Sequence, residues 1–120
     1  MLINVHHLMG ATKYSLAGLK RAWQAEQAFR HEVLLFPVIL ILLLVIRPGF
    51  GWTASLIFSW LAVMAFELVN SAIEEAFDLI TKEQNIHVKY GKDMASAAIF
   101  AALCGHGVLW VCMLGDKFMS

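Results

Sequence analysis

Polar side chains recur at helical spacing directly behind an uncharged, apolar run of the sequence. At about 100° per residue, four of them fall within roughly 40° of one line on a helix: Glu67, Ser71, Glu74 and Asp78. Asn70 lies on the flank of that line, and the opposite side of the helix is apolar. The pattern predicts a helix that carries a stripe of carboxylates out of an apolar segment.

Carboxylates next to a hydrocarbon layer are unfavourable. On insertion scales, each one at the centre of a spanning helix costs roughly 2.5–3.5 kcal/mol. Several on one stripe must therefore face a protein interior, a metal ion or water. The stripe is thus a candidate functional site.

The stripe and Lys92, at the start of the next apolar segment, suit metal-assisted phosphoryl transfer. Mg²⁺ takes oxygen ligands and keeps waters and substrate phosphates, so one or two carboxylates suffice. A further carboxylate can accept a hydroxyl proton, and a lysine can hold phosphate charge. The chain contains no P-loop, protein-kinase or dinucleotide motif. From spacing alone, a proton or cation pathway and a structural bundle with interfacial acids remain open alternatives.

The composition indicates a membrane protein. Of the 120 residues, 60% are hydrophobic and 15% are charged, and the mean hydropathy is +0.70, which is too apolar for an ordinary soluble domain of this size. Nine Lys and Arg residues balance nine Asp and Glu residues, so the charge balance gives no case for nucleic-acid binding. We expect one membrane domain over residues 1–120.

The hydrophobic pattern predicts an all-α membrane protein. An N-terminal helix with one apolar and one basic face is typical of a helix that lies on an anionic membrane surface. Three apolar segments follow, the first two joined by a tight Pro-Gly turn and the last two by a polar loop. The predicted surface helix covers about residues 6–25. The three spans cover about residues 27–47, 52–80 and 93–115, and the polar loop covers residues 81–91.

The distribution of basic residues predicts the orientation. Seven of the nine Lys and Arg residues lie on one side of the predicted spans, and only Arg47 and Lys117 lie on the other. By the positive-inside rule, the N-terminus and the 81–92 segment are cytoplasmic and the C-terminus is outside. The carboxylate stripe then faces the compartment that contains ATP.

Three stretches resemble the small prokaryotic diacylglycerol kinases. ELVNSAIEEAFDLI (67–80) and KDMASAA (92–98) are similar to the family patterns E-[LI]-[LIV]-N-[ST]-A-[IV]-E and A-K-D-M-[GA]-S-A-A. Upstream, YSLAGLKRAWQAEQAFRHE (14–32) resembles the surface helix and first-span entry of the same family. The resemblance covers most of the chain without gaps. It implies a homotrimeric bundle of three-span subunits, unrelated in fold to soluble kinases, with active sites shared between neighbouring subunits.

The resemblance also implies roles for the acidic stripe. Glu67 matches the general base that acts on the primary hydroxyl of the lipid, and Asn70 matches an asparagine that holds the catalytic group together. Glu26 and Glu74 match the carboxylates that bind Mg²⁺. Glu26 has no distinguishing feature in the sequence itself.

Other matched positions concern the two substrates. The resemblance assigns the ATP site to four residues: Tyr14, Glu83, Lys92 and Asp93. Lys92 is expected on the phosphates, and Ser96 matches a serine near the lipid pocket.

The implied activity is ATP-dependent phosphorylation of diacylglycerol to phosphatidic acid at the inner face of a bacterial cytoplasmic membrane. Undecaprenol kinases share the fold, and the DLIT segment (78–81) also occurs in them. The AWQAEQAFRHE entry (22–32) is more similar to the diacylglycerol enzymes and favours that substrate. The alternative from another class is a non-catalytic membrane subunit that has kept the fold.

A few residues depart from this pattern or lack a clear role. His7 stands where related sequences tend to have arginine, and Gly91 stands where alanine is usual, a minor change. Glu75 lies about 80° off the stripe, and we expect it to be solvated. Asp78 lies on the stripe with either a structural or a supporting role. His106, between two glycines in the last span, is predicted to be a packing or hydrogen-bonded histidine.

Overall fold

The structure is a computed structural model that describes residues 4–119. This part of the chain forms four helices. In order they are α1 (Val5–Ala25), α2 (Gln27–Ile46), α3 (Phe50–Ile80) and α4 (Ile86–Met119). The last three are long and apolar enough to cross a membrane, with mean hydropathies of 2.3, 1.8 and 2.0. The prediction of an all-α protein with three apolar spans is therefore confirmed.

Local backbone chemistry explains where the first helices begin and end. The side-chain oxygen of Asn4 accepts a hydrogen bond from the His7 amide at 3.1 Å and caps α1. Glu26 interrupts the helix between α1 and α2 with an extended backbone (φ −114°, ψ 108°). The turn between α2 and α3 uses left-handed backbone at Arg47 (φ 54°) and positive φ at Gly49 (107°), a conformation that glycine adopts without strain.

The connection between α3 and α4 is shorter than the sequence predicts. The polar composition of residues 81–91 predicts a loop, but α4 begins at Ile86. The side-chain oxygen of Asn85 accepts a hydrogen bond from the His87 amide at 2.8 Å. This bond satisfies one of the backbone N–H groups that have no partner within the first turn of a helix. Lys89 and Lys92 therefore lie on a helix rather than in a loop.

Apolar residues from the three long helices form one core. The buried members are Ile39, Leu43, Leu56, Trp60, Val63 and Met113. This cluster contains the side chains that tie α2 and α4 to α3, since α3 contributes three of its six residues. The core thereby fixes α3, which carries the acidic stripe, against both of its neighbours.

A buried histidine links α3 and α4 within this core. Nδ1 of His106 lies 2.6 Å from Oγ of Ser59, and Nε2 accepts a hydrogen bond from Nε1 of Trp110 at 2.9 Å. The Trp60 ring lies 5.1 Å from the imidazole, centroid to centroid. The prediction of a packing or hydrogen-bonded histidine is confirmed.

Candidate active site

The carboxyl group of Glu67 lies at the centre of the candidate site. α3 carries it just beyond the apolar core, and its side chain is buried, with only 6% of the residue exposed. Three other carboxyl groups interact with it electrostatically, those of Glu26, Glu32 and Glu74. They come from three parts of the chain: the α1–α2 junction, α2 and α3 itself. The fold thus gathers acids that are far apart in sequence around Glu67.

Glu32 is a site residue that the sequence pattern does not single out. It is buried (8% exposed) and lies within interaction distance of Glu67. Nε1 of Trp60 donates a hydrogen bond to the backbone oxygen of Glu32 at 3.0 Å, which fixes this turn of α2 against α3. A signal was present in the spacing, since Glu32 follows the buried Phe29 by three residues and so shares its face.

Asn70 and Glu74 extend the site along α3. Nδ2 of Asn70 donates a hydrogen bond to Oε1 of Glu74 at 3.2 Å, and this bond orients both side chains. Within residues 4–119, three buried polar atoms have no hydrogen-bond partner: Oε1 of Glu32, Oδ1 of Asn70 and Oγ of Ser71. All three lie in or beside the acidic stripe. Unpaired buried polar groups are uncommon, so a concentration of them at one place indicates a ligand site.

Glu26 is held at a corner of the chain. Its own amide donates to the carbonyl of Ala22 and ends α1, and its carbonyl accepts from the amide of Arg30 in the first turn of α2. The Arg30 side chain donates from Nη1 to the carbonyls of Trp23 and Gln24 at 3.0 and 3.1 Å. Within the described residues, the last turn of α1 has no basic residue of its own. Arg30 therefore supplies the positive charge that a helix C-terminus favours.

An apolar cavity of about 470 Å³ lies between α1 and α3. Most of its lining is apolar or small, and its polar lining includes Glu26 and Ser71. Ser71 follows Glu67 by one helical turn. At the rim, Arg21 and Glu75 form an exposed ion pair at 3.8 Å. Glu75 points away from the acidic cluster, as its position off the stripe predicts.

A second pocket, of about 570 Å³, lies where α3 passes into α4. Its lining includes three lysines and two acids: Lys82, Lys89, Lys92, Asp78 and Glu83. Nζ of Lys92 lies 3.2 Å from a carboxylate oxygen of Asp78, so this stripe residue pairs with the lysine of the next helix. The pocket thus combines positive charge with acids close to the stripe.

Not all residues matched by the resemblance come together in one chain. Asp93 is exposed and pairs with Lys89 on its own helix at 2.6 Å. Tyr14 on α1 is 78% exposed, and Ser96 on α4 is also exposed. Neither lines the two pockets described above. A single subunit therefore brings together the acids around Glu67 and, separately, Glu83 with Lys92.

No three His, Cys, Asp or Glu side chains among the described residues are grouped closely enough to hold a metal ion by themselves. Mg²⁺ is usually held by one or two carboxylates together with water and substrate phosphates. Oxygen atoms are its preferred donors. The unpaired Oδ1 of Asn70, beside Glu74, is such a donor and fits the same ion.

Fold and site together define a helical membrane protein with a carboxylate cluster around the buried Glu67, an apolar cavity and a lysine-lined pocket. The family model for prokaryotic diacylglycerol kinase matches residues 13–114. The chain is 42% identical to a diacylglycerol kinase of Haemophilus influenzae over 104 residues, which are 87% of this chain and 88% of that protein.

Other relatives agree. A diacylglycerol kinase of Sinorhizobium is 36% identical over 97% of this chain and 85% of its own length, and that of Escherichia coli K12 is 32% identical over 92% and 91%. The chain belongs to the prokaryotic diacylglycerol kinase family, an enzyme family, and the resemblance seen in its sequence is confirmed.

Proposed function

We propose that this protein transfers the γ-phosphate of ATP to the primary hydroxyl of diacylglycerol and so forms phosphatidic acid. The observation that carries the proposal is the buried Glu67, which lies among carboxylates. One of these, Glu26, lines a lipid-compatible cavity, and the helix that carries Glu67 continues to Asp78 in a basic pocket. Family membership supports the reaction, and the similarity to diacylglycerol kinases favours diacylglycerol as the lipid.

The lipid substrate enters the cavity between α1 and α3. The apolar lining suits acyl chains, while Glu26 and Ser71 provide polar atoms for the glycerol end. The hydroxyl then lies near Glu67, which accepts its proton as the oxygen attacks phosphorus. Ser96 contributes to the lipid site from α4. Because Glu67 is buried and surrounded by other acids, it is held in place and shielded from bulk water.

Glu26 and Glu74 would hold Mg²⁺, and Asn70 orients Glu74 through its amide hydrogen bond. When bound, Mg²⁺ supplies positive charge that offsets the charge developing on the transferred phosphoryl group. Glu26 reaches the site because the helix break places it at the corner between α1 and α2.

ATP occupies the basic pocket at the start of α4. Lys92 contacts the phosphates, and Glu83 lines the same pocket. Asp93 and Tyr14 complete the nucleotide site. Tyr14 is too exposed to do so within its own subunit, so the nucleotide lies between neighbouring subunits.

The functional unit is a homotrimer in the bacterial cytoplasmic membrane with the N-terminus in the cytoplasm. α4 supports this arrangement, because only 11% of its most apolar stretch is buried within one chain. The remaining surface is available to lipid and to other subunits. The excess of basic residues around α1 and the α3–α4 connection supports the cytoplasmic placement of the site.

The direct test is transfer of radiolabelled γ-phosphate from MgATP by the purified trimer in mixed micelles, with dioleoylglycerol and undecaprenol assayed in parallel. We expect label in phosphatidic acid. Label only in the polyprenol would change the substrate and keep the chemistry. No label in either lipid, from folded trimer, would favour a non-catalytic membrane subunit.

Replacing Glu67 tests the proton acceptor. We expect Glu67→Gln to lower kcat by about 10²–10⁴-fold, the usual contribution of a general base, while nucleotide affinity changes little. Asp116→Asn is the matched control, because Asp116 lies near the end of α4, where its carboxylate accepts a hydrogen bond from Nε1 of Trp52 and lines neither pocket. An unchanged kcat in Glu67→Gln would contradict the assignment.

A further inference from the structure

Gly91 differs from the other glycines of this chain in what occupies the space beside it. All eight glycines lie in the described part of the chain, and a Cβ built on seven of them would meet nothing within 4 Å. At Gly91, a Cβ would lie 2.5 Å from Cζ and 2.7 Å from Cε2 of Phe77. The ring of Phe77 on α3 therefore packs directly over the bare Cα of α4.

Glycine at this position works against helix formation. Gly91 is the sixth residue of α4, beyond its capped first turn, where alanine is the better helix former. Gly91 also has no positive φ that would call for glycine on backbone grounds. The close approach of Phe77 is the feature of the structure that requires it.

The next residue along each helix forms the ion pair of the basic pocket. Phe77 is followed by Asp78 and Gly91 by Lys92, and Nζ of Lys92 lies 3.2 Å from the Asp78 carboxylate. The Phe77–Gly91 contact and the Asp78–Lys92 ion pair are thus made by neighbouring residues of the same two helices. The distance between α3 and α4 at Gly91 therefore decides where the Lys92 ammonium group lies relative to the acidic stripe.

We propose that Gly91 and Phe77 form a positioning pair that holds Lys92 for the phosphates of ATP. The proposal rests on the proposed function, because it takes Lys92 as a phosphate-contacting residue. With alanine at 91, either the Phe77 ring turns away or α4 moves outward, and outward movement of α4 displaces Lys92. A smaller side chain at 77 removes the conflict. Alanine at position 91 is therefore harmless only when residue 77 is small.

The test compares Gly91→Ala, Phe77→Val and the double variant in steady-state kinetics with dioleoylglycerol. We expect Gly91→Ala to raise the KM for MgATP by about tenfold with a smaller effect on kcat, since a phosphate contact made in the bound state is weakened. Phe77→Val in the Gly91→Ala background should restore most of that loss. Gly115→Ala is the matched control on the same helix, and its KM should stay at the wild-type value.

Reversible unfolding in mixed micelles gives a second readout that does not depend on activity. We expect the destabilisations of Gly91→Ala and Phe77→Val to be non-additive, because the two side chains share one space. Additive destabilisation would overturn the steric pair. An unchanged KM for MgATP in Gly91→Ala, or a double variant no better than the single one, would overturn the positioning role. Absence of transfer by the wild type would refute the proposed function instead and leave the unfolding comparison intact.

Discussion

The hydrogen bonds around His106 fix the direction of a polar chain through the apolar core. An indole N–H can only donate, so Nε2 of His106 is the acceptor for Trp110 at 2.9 Å. Nδ1 therefore carries the proton and donates to Oγ of Ser59 at 2.6 Å, and the Ser59 hydroxyl donates in turn to the carbonyl of Leu56 at 3.1 Å. A serine nucleophile needs the reverse direction, with its hydroxyl donating to the imidazole. The cluster is a structural link between α3 and α4.

Replacing His106 with phenylalanine keeps a ring in the core and removes both of its hydrogen bonds. The interhelical bond to Ser59 accounts for about 0.6–1.7 kcal/mol, the range measured for such bonds in membrane proteins. The Trp110 indole loses its acceptor, which adds about 1 kcal/mol, the low end for an unsatisfied donor because this tryptophan is only half-buried. We expect His106→Phe to lower the free energy of unfolding by about 2–3 kcal/mol.

The assay is reversible unfolding in mixed micelles of increasing SDS content. Ser59→Ala is the matched variant, because it loses the interhelical bond but leaves the Trp110–His106 bond in place. It also leaves the buried Nδ1–H of His106 without its acceptor, so a destabilisation of similar size is expected. Turnover should persist in Ser59→Ala, since Ser59 lies about 12 Å along α3 from Glu67. Nitrogen-15 NMR of the imidazole should find the proton on Nδ1. Wild-type stability in His106→Phe, or a proton on Nε2, would refute the reasoning.

Two further predictions concern Glu74, the proposed partner of Glu26 in metal binding, and Arg30, which caps the end of α1 next to Glu26. Glu74→Gln should raise the Mg²⁺ concentration for half-maximal activity by about tenfold or more, since even groups that only support a metal ligand cost about 10–100-fold. An unaltered metal titration, with Asp116→Asn as control, would contradict the assignment. Arg30→Met removes the two hydrogen bonds to the C-terminal carbonyls of α1. We expect the end of α1 to lose about 1.4 kcal/mol of stability against local opening, which corresponds to about tenfold faster tryptic cleavage at Lys20 and Arg21. Mass spectrometry of timed digests in micelles checks this, and an unchanged cleavage rate would contradict the capping role.

The part of the site that lies on one helix could be predicted from the sequence. The stripe of Glu67, Asn70 and Glu74 follows from the helical period alone, because all three residues belong to α3 and the period fixes their relative directions. The three apolar spans follow from hydropathy in the same way. Glu26 was found only through the family resemblance, because nothing in its local sequence distinguishes it from an ordinary interfacial acid.

The parts that depend on contacts between helices could not be predicted. The burial of Glu32 depends on the turn of α2 held by the Trp60 indole, 28 residues away. Gly91 was treated as a minor change, because its consequence depends on where the Phe77 ring lies. The start of α4 was placed too late, because the cap formed by Asn85 lies inside a stretch whose composition is polar throughout.

The contrast between the two ends of the bundle supports a ligand site around Glu67. In the core, the ring nitrogens of His106 and the hydroxyl of Ser59 all have hydrogen-bond partners, although the surroundings are apolar. Around Glu67, within residues 4–119, buried oxygens of Glu32, Asn70 and Ser71 have none. A chain that satisfies its polar groups in the more demanding environment does not leave others unpaired through poor packing. Under the proposed function, the lipid hydroxyl, the metal ion and the phosphate would supply partners to these oxygens.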